Sequence, residues 1–256
     1  MSDEKKIEVE VAIDADAETV WRALTDGEEL SRWFPLDARV KPGVGGSLWL
    51  SWGEGADWEA PIEVWEPNKH LRTVDTFEAQ RIAVDYYIES RGGETVLRLV
   101  HSGFGDDTWQ GEIDSLDAGW TTFLQNLKHY LEHHRGEPRT LAYFRHPKTA
   151  LSRDEAFRRT MTALGFPAEL DLRVDDRYAT TTSSGDRFEG VVKVFRPPIN
   201  FTATVKNWSD GFVLVEIEGG RETCRPAVWV SLYGDAGRDA EALGVRVRAL
   251  LERAFA

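Results

Sequence analysis

Residues 97–131 read LRLVHSGFGDDTWQGEIDSLDAGWTTFLQNLKHYL, and the period of their apolar side chains changes from one end to the other. Leu97, Leu99 and His101 share one side with Arg98 opposite, as in a strand whose successive side chains point to opposite faces. From Asp114 to His134 the spacing is helical instead, with Trp120, Phe123, Leu124, Leu127, Tyr130 and Leu131 on one stripe at three- and four-residue steps. Between the two lie Asp106, Asp107, Glu112, Asp114 and Asp117, two tryptophans and several glycines. Such a stretch is either a catalytic or metal-binding loop or the hinge that lays a helix over a sheet.

Upstream, IEVEVAI alternates with Ile7, Val9, Val11 and Ile13 on one face and Glu8 and Glu10 on the other, which predicts a half-buried strand. The period then becomes helical: Asp14 or Asp16 can cap a helix whose apolar side is Val20, Trp21 and Leu24. Gly27 interrupts it, and Leu30, Trp33 and Phe34 predict a second short helix before Pro35. From Arg39 to Phe104 alternating segments are separated by PGVGG, WGEGAD, EPNK and RGGE, the pattern of an antiparallel meander. Parity groups Leu48, Leu50 and Trp52, then Trp58, Ile62 and Val64, then Ile82, Val84, Tyr86 and Ile88. The opposite positions, Ser47, Ser51, Glu59, Glu63, Asp85, Glu89 and Arg98, read as wet, while HLRTVDTF alternates too poorly to face either way. The expectation is an α+β unit whose antiparallel sheet buries one face against the closing helix.

Of 256 residues, the first 140 carry 14 basic and 28 acidic side chains and the remainder 17 and 16, so the net charge of -13 belongs almost wholly to the front. Eight of the ten tryptophans fall there too, leaving Trp208 and Trp229 behind. Gly136 and Pro138 punctuate the change, which predicts two domains, 1–138 and 139–256. The second repeats the order of the first in reduced form. Leu141 to Phe144 reads as a short strand, and Ser152 with Glu155 forms a capping box before Ala156, Phe157, Met161 and Leu164. Strands follow at DRFEGVVKVF, INFTATV, FVLVEI and AVWVSLY, and a last helix buries Leu243, Val247, Leu250 and Leu251.

The front half resembles the START-like, birch-pollen-allergen-like superfamily known as SRPBCC, and within it the activator-of-heat-shock-protein-90-ATPase-like branch. The residues that carry the resemblance are IEVEVAIDADAETVWRALTD followed by ELSRWF, the PGVGG turn before a Trp-containing strand, LVHSGF, and DAGWTTFLQNLKHYLE, in that order between Ile7 and Glu132. The resemblance implies a helix-grip fold, in which a curved antiparallel sheet wraps a long carboxy-terminal helix and often leaves a hydrophobic cavity. Members bind lipids, sterols or polyketide-like molecules, some are enzymes, and others act on a chaperone; the fold alone does not choose. Past residue 140 the chain lacks both His-Ser-Gly-Phe and the Gly-Trp helix opener, as a worn second copy would.

Several candidate sites follow. His101 is expected to point inward toward the start of the closing helix, where Asp117 sits one turn before Trp120; such a pair can do general acid-base work, or merely satisfy the loop and the helix dipole. His129 and His133 stand i, i+4 beside Glu132 and His134, a zinc-like spacing, but no Cys pair accompanies them and a solvated helix end is the simpler expectation. PGVGG leads into a strand with no Lys-Ser or Lys-Thr after it, so it is a turn and not a phosphate loop. No Gly-x-Ser-x-Gly occurs and Cys224 has no neighbouring His, leaving nucleophilic catalysis without support.

The expected function is therefore cofactor-free binding of a small hydrophobic or amphipathic molecule between sheet and closing helix. Trp52, Trp58, Val84, Tyr86, Leu99, His101, Trp120, Phe123, Leu124 and Leu127 would line the site, with no metal. One alternative is a cyclase, dehydratase or hydrolase using His101 and Asp117; another is a protein-interaction module offering an acidic face to a basic partner. An acidic front without a basic stripe argues against nucleic acid, and no apolar run is long enough to span a membrane. The single Cys224 and an amino terminus, MSDEKKIEVE, without an apolar core point to a reducing cytoplasm.

Overall fold

Each half of the chain begins with a strand that waits for the last strand of its own half. The structure, a computed structural model, describes residues 5–53, 55–77, 80–104, 110–219 and 223–256 and divides into two units, Met1–Gly136 and Glu137–Ala256. The carboxylates Asp106 and Asp107 and the indole of Trp109 lie outside the described residues.

In the first unit β1 (Lys5–Ile13) is followed by α1 (Ala17–Thr25), α2 (Gly27–Ser31), β2 (Asp37–Lys41), β3 (Ser47–Ser51), β4 (Asp57–Glu66), β5 (His70–Phe77), β6 (Gln80–Arg91), β7 (Glu94–Phe104) and α3 (Gln110–His133). Of the two capping candidates Asp16 is used, its carboxylate accepting the Thr19 N–H at 2.7 Å. Asp26 then ends α1 and caps α2, accepting from the Glu29 N–H at 3.0 Å. The seven strands are ordered β1-β7-β6-β5-β4-β3-β2, antiparallel throughout. The result is an α+β helix-grip fold: α3 packs along β1 and buries Leu124, Leu127, Tyr130 and Leu131.

The expected faces hold with one exception in β4. Ile62 pairs with Thr73 and Val64 with Arg72, so an extra residue bulges out of the ladder between them. Val64 is thereby turned away from Ile62's side, and Trp65, opposite Leu71, takes the inner place and packs edge-on against Trp21 of α1 at 5.0 Å between ring centres. The facing of β5 also becomes clear: Leu71 and Thr73 point inward, and Val74 on the other side is buried as well, which is why no alternation was visible.

The end of α3 is held by polar contacts. Glu132 accepts the Asp14 N–H at 2.9 Å, and Lys128 bonds both Glu132 and the Ala12 carbonyl. Tyr130 donates its hydroxyl proton to buried Glu29 at 2.7 Å and accepts the Gly136 N–H at 3.0 Å. Arg32 donates to the other Glu29 oxygen at 2.8 Å, and losing either donor from a buried carboxylate is costly.

The second unit runs β8 (Thr140–Arg145), α4 (Arg153–Ala163), β9 (Arg177–Thr181), β10 (Arg187–Arg196), β11 (Asn200–Val205), β12 (Gly211–Gly219), β13 (Cys224–Leu232), a 3-10 turn at Gly234–Asp239 and α5 (Ala240–Phe255). Its order, β8-β13-β12-β11-β10-β9, is the wiring of the first sheet with one strand fewer. Strand β9 was not foreseen; it is five residues long and buries only Tyr178 and Thr180. The capping box is half made, since Ser152 accepts the Glu155 N–H while the Glu155 carboxylate turns to Arg158 and Arg159 instead of back to Ser152.

Replacing Tyr130 with Phe should lower the stability of the first unit by about 1–3 kcal/mol, because Glu29 and the Gly136 N–H both lose a buried partner. Urea unfolding followed by tryptophan fluorescence checks this, as most indoles belong to that unit. A midpoint within error of the parent protein would contradict it.

Candidate functional site

The inner face of the first sheet is apolar except at a few positions in its middle. One cross-strand row reads Ile62, Thr73, Val84, His101, Ile7, and the next reads Trp65, Leu71, Tyr86, Leu99, Val9. Thr73, Tyr86 and His101 are thus brought within two rows of three adjacent strands. All three are buried, at 1, 4 and 8% exposure. The Thr73 hydroxyl has no hydrogen-bond partner, and the Tyr86 hydroxyl makes no hydrogen bond among the described residues. Burial raises the Tyr86 pKa above the usual phenol range, so it stays protonated.

His101 owes its position to Gly103. That glycine has φ +97°, and a Cβ there would lie 2.1 Å from the Arg81 carbonyl oxygen, so no other residue fits without moving β6. The irregularity it permits lets Ser102 pair with Lys6 and Phe104 with Lys5, which brings the Phe104 ring to 4.7 Å from the imidazole. From the helix side, the Trp120 indole N–H donates to His101 Nδ1 at 2.9 Å. An indole nitrogen only donates, so Nδ1 is the bare nitrogen and the ring proton sits on Nε2. Desolvation lowers the His101 pKa to about 4.

Trp120 is also the centre of a ring cluster. It lies 5.8 Å from Phe34, 6.2 Å from Tyr86 and 6.2 Å from Phe123, and Phe34 in turn touches Phe123 at 4.5 Å and Trp52 at 5.4 Å. Trp52, Trp120 and Phe123 are half-buried, whereas Val84, Leu99, Leu124 and Leu127 are closed off. Trp58 stands apart: its indole donates to Asp75 at 2.7 Å, and it joins no ring of the cluster among the described residues. Asp117 is half-buried on α3, and the hydrogen bond of His101 goes to Trp120, not to it. Phe34 and Thr73 were not among the expected site residues. Phe34 was expected on the second short helix, but α2 ends at Ser31 and Phe34 lies in the turn after it, while Thr73 comes from the strand whose alternation is blurred.

The opposite face holds a histidine–carboxylate pair that the sequence did not reveal. His70 Nε2 lies 2.7 Å from Asp85 Oδ1, with Arg72 at 3.7 Å, and the His70 ring stacks on Tyr87 at 4.3 Å. Asp85 was expected to be wet; these neighbours reduce it to 4% exposure. At the far end of α3 the rings of His129, His133 and His134 pack on one another, and His129 and His134 are buried. The solvated helix end expected there describes only His133.

Residues 14–132 match the family model described as activator of Hsp90 ATPase homolog 1-like protein. That match spans most of the first unit. No curated protein gives a match. Among solved structures, protein MLL2253 from Mesorhizobium loti is 26% identical, covering 51% of this chain and 98% of its own, with a TM-score of 0.47. The Aha1 dimer from Colwellia psychrerythraea is 22% identical over 52% of this chain and 99% of its own, at 0.46. The di-domain ARO/CYC BexL from the BE-7585A biosynthetic pathway is 16% identical and covers 98% of this chain and 93% of its own, also at 0.46.

In this Aha1-like unit the neutrality of His101 is linked to stability. Its pKa in the folded protein, about 4, lies below the value of 6.5 expected when unfolded, so the unfolded state binds the proton first as pH falls. Stability should therefore decline from pH 6.5 downward, with about 3 kcal/mol lost through this residue by pH 4. His101→Gln removes the titrating group, and urea unfolding at pH 7 and pH 4 should show the smaller decline in the variant. Equal declines would contradict the assignment.

Proposed function

We propose that the first unit binds a small hydrophobic or amphipathic molecule between the inner face of its sheet and α3, without a cofactor. One observation supports this most: Thr73 Oγ1 is buried with no hydrogen-bond partner among the described residues, and on neighbouring inner-face positions the Tyr86 hydroxyl and His101 Nε2 make no hydrogen bond among them either. A buried hydroxyl such as that of Thr73 is destabilising by about 1–3 kcal/mol unless something satisfies it. A ligand seated against the Trp120, Phe34 and Phe123 rings would bury apolar area and present atoms to those groups.

The two alternatives draw less support. For general base catalysis His101 needs a free ring lone pair, and the one it has is engaged by Trp120 while burial holds its basicity down. For docking of a basic partner the outer face needs unneutralised acid. There Glu8 meets Lys6 and Arg98, Glu63 meets Arg81 and Arg72, and Glu89 meets Arg91. Such self-paired charge steers a partner weakly.

A thermal-shift screen against fatty alcohols, sterols, aromatic polyketides and flavonoids tests the proposal. A ligand present at about 100 times its Kd adds about 2.7 kcal/mol, a shift of several degrees. Tyr86→Phe should weaken the same ligand about 3- to 10-fold through one lost hydrogen bond. If no class shifts the transition, and native mass spectrometry of protein taken from its host shows the bare chain, the proposal fails.

A further inference from the structure

We infer that His101 meets the ligand only as a hydrogen-bond donor, held in that state by Trp120, so that the site takes an uncharged molecule bearing a carbonyl or ether oxygen and turns carboxylates away. This rests on the ligand site proposed above and narrows what that site can hold.

The donor state follows from the partner. Because the Trp120 N–H points at Nδ1 from 2.9 Å, any proton placed on Nδ1 would set two donors against each other. Two states are thereby disfavoured together: the Nδ1–H tautomer, which would present a bare Nε2 to the ligand, and the imidazolium, which alone could pair with an anion. What remains is a neutral ring with Nε2–H available, and Nε2 has no partner among the described residues.

The surroundings agree with this polarity. Neither of the two cross-strand rows that carry Thr73, Tyr86 and His101 contains a charged side chain. The next inward position along β5 is Asp75, an acid, held by the Trp58 indole at 2.7 Å. A ligand carboxylate would lose its water, find no cation in those rows and approach a like charge. A ketone, ester or ether oxygen needs only one donor, which Nε2–H supplies, with the Tyr86 and Thr73 hydroxyls free to act in either sense.

Trp120 is on this account a positioning residue as well as a wall. Its ring also packs on Phe34, Tyr86 and Phe123, so Trp120→Phe preserves an aromatic side chain there while deleting the N–H.

The test has two independent readouts on the full chain. Long-range proton–nitrogen correlation spectra, with the His101 signal assigned by its loss in His101→Leu, should show the Nε2–H tautomer in the parent protein and a tautomer mixture in Trp120→Phe. A merely structural Trp120 would leave the tautomer unchanged. Calorimetric titration then compares 2-acetonaphthone, 2-ethylnaphthalene and 2-naphthoate, which share a skeleton and differ in having a neutral acceptor, none, or a charge. The ketone should bind about 3- to 10-fold tighter than the hydrocarbon, a preference that vanishes in His101→Leu. The naphthoate should bind at least about 100-fold more weakly than the ketone. An Nδ1–H tautomer in the parent protein, a naphthoate within 10-fold of the ketone, or a ketone preference that survives in His101→Leu overturns the inference while leaving a ligand site in place. Failure of all three probes to bind overturns the ligand site itself and this inference with it, and the tautomer spectra still decide the role of Trp120. Should His101→Leu not fold, the parent spectra, the three-probe comparison and Trp120→Phe suffice.

Discussion

A sheet whose strands alternate in polarity has one face to hide, and in the first unit α3 is what hides it. Nearly everything else there follows from where that helix must lie. β1 pairs with β7, the last strand, so the chain reaches the sheet edge beside which α3 packs. Lys128 and Glu132 tie the helix to the backbone at Ala12, within β1, and at Asp14, just after it, and Tyr130 ties it to Glu29 in α2. These contacts fix the far end of α3. Its middle meets the sheet through Trp120, whose indole hydrogen-bonds to His101 on the inner face and whose ring is shared with Phe34 and Phe123. One helix therefore has a polar clamp at its end and an aromatic, hydrogen-bonded contact midway along it, and the candidate site lies at the latter.

Much of this was legible in the residues because burial on one side writes a period. Ile7, Val9, Val11 and Ile13, the alternation of β6 and β7, and the stripe from Trp120 to Leu131 each report a single hidden face. The failures have a common cause: something breaks the simple correspondence between parity and face. A bulge in β4 exchanges Val64 for Trp65 on the inner side. β5 hides residues on both sides, so its alternation disappears. Asp85 is buried on the outer face by His70 and Arg72, neighbours in space that no count along the chain reveals.

The site was legible in part for the same reason. Parity and helical phase place Tyr86, His101, Trp120 and Phe123 on surfaces that face each other, and the structure brings those four together. Parity assigns faces, however, and not partners. The pairing of His101 with Asp117, reasonable from their positions in sequence, gives way to a bond with Trp120 one turn further along the same helix. That difference matters chemically, since a carboxylate on Nδ1 would raise the basicity of the ring whereas an indole N–H lowers it. Phe34 escapes because the helix that its spacing with Leu30 suggests stops at Ser31, which leaves Phe34 in a turn whose facing no period reports.

The second unit supplies the comparison that separates architecture from function. It has the same wiring less one strand, with β11, β12 and β13 standing where β5, β6 and β7 stand in the first. On β11 to β13 the face that packs in the core carries Phe201, Ala203 and Val205, then Val213, Val215 and Ile217, then Val228 and Val230. These are aliphatic or aromatic throughout, and each is buried at 3% exposure or less. None of these requires a hydrogen bond, although the other side of β11, buried as well, carries Asn200, Thr202 and Thr204. The corresponding strands of the first unit place a threonine, a tyrosine and a histidine on the inner face, where an all-apolar interior would avoid the desolvation penalty of those groups. Two sheets built to one plan thus differ in the polarity of the matching core-facing positions, a difference that the shared topology does not dictate.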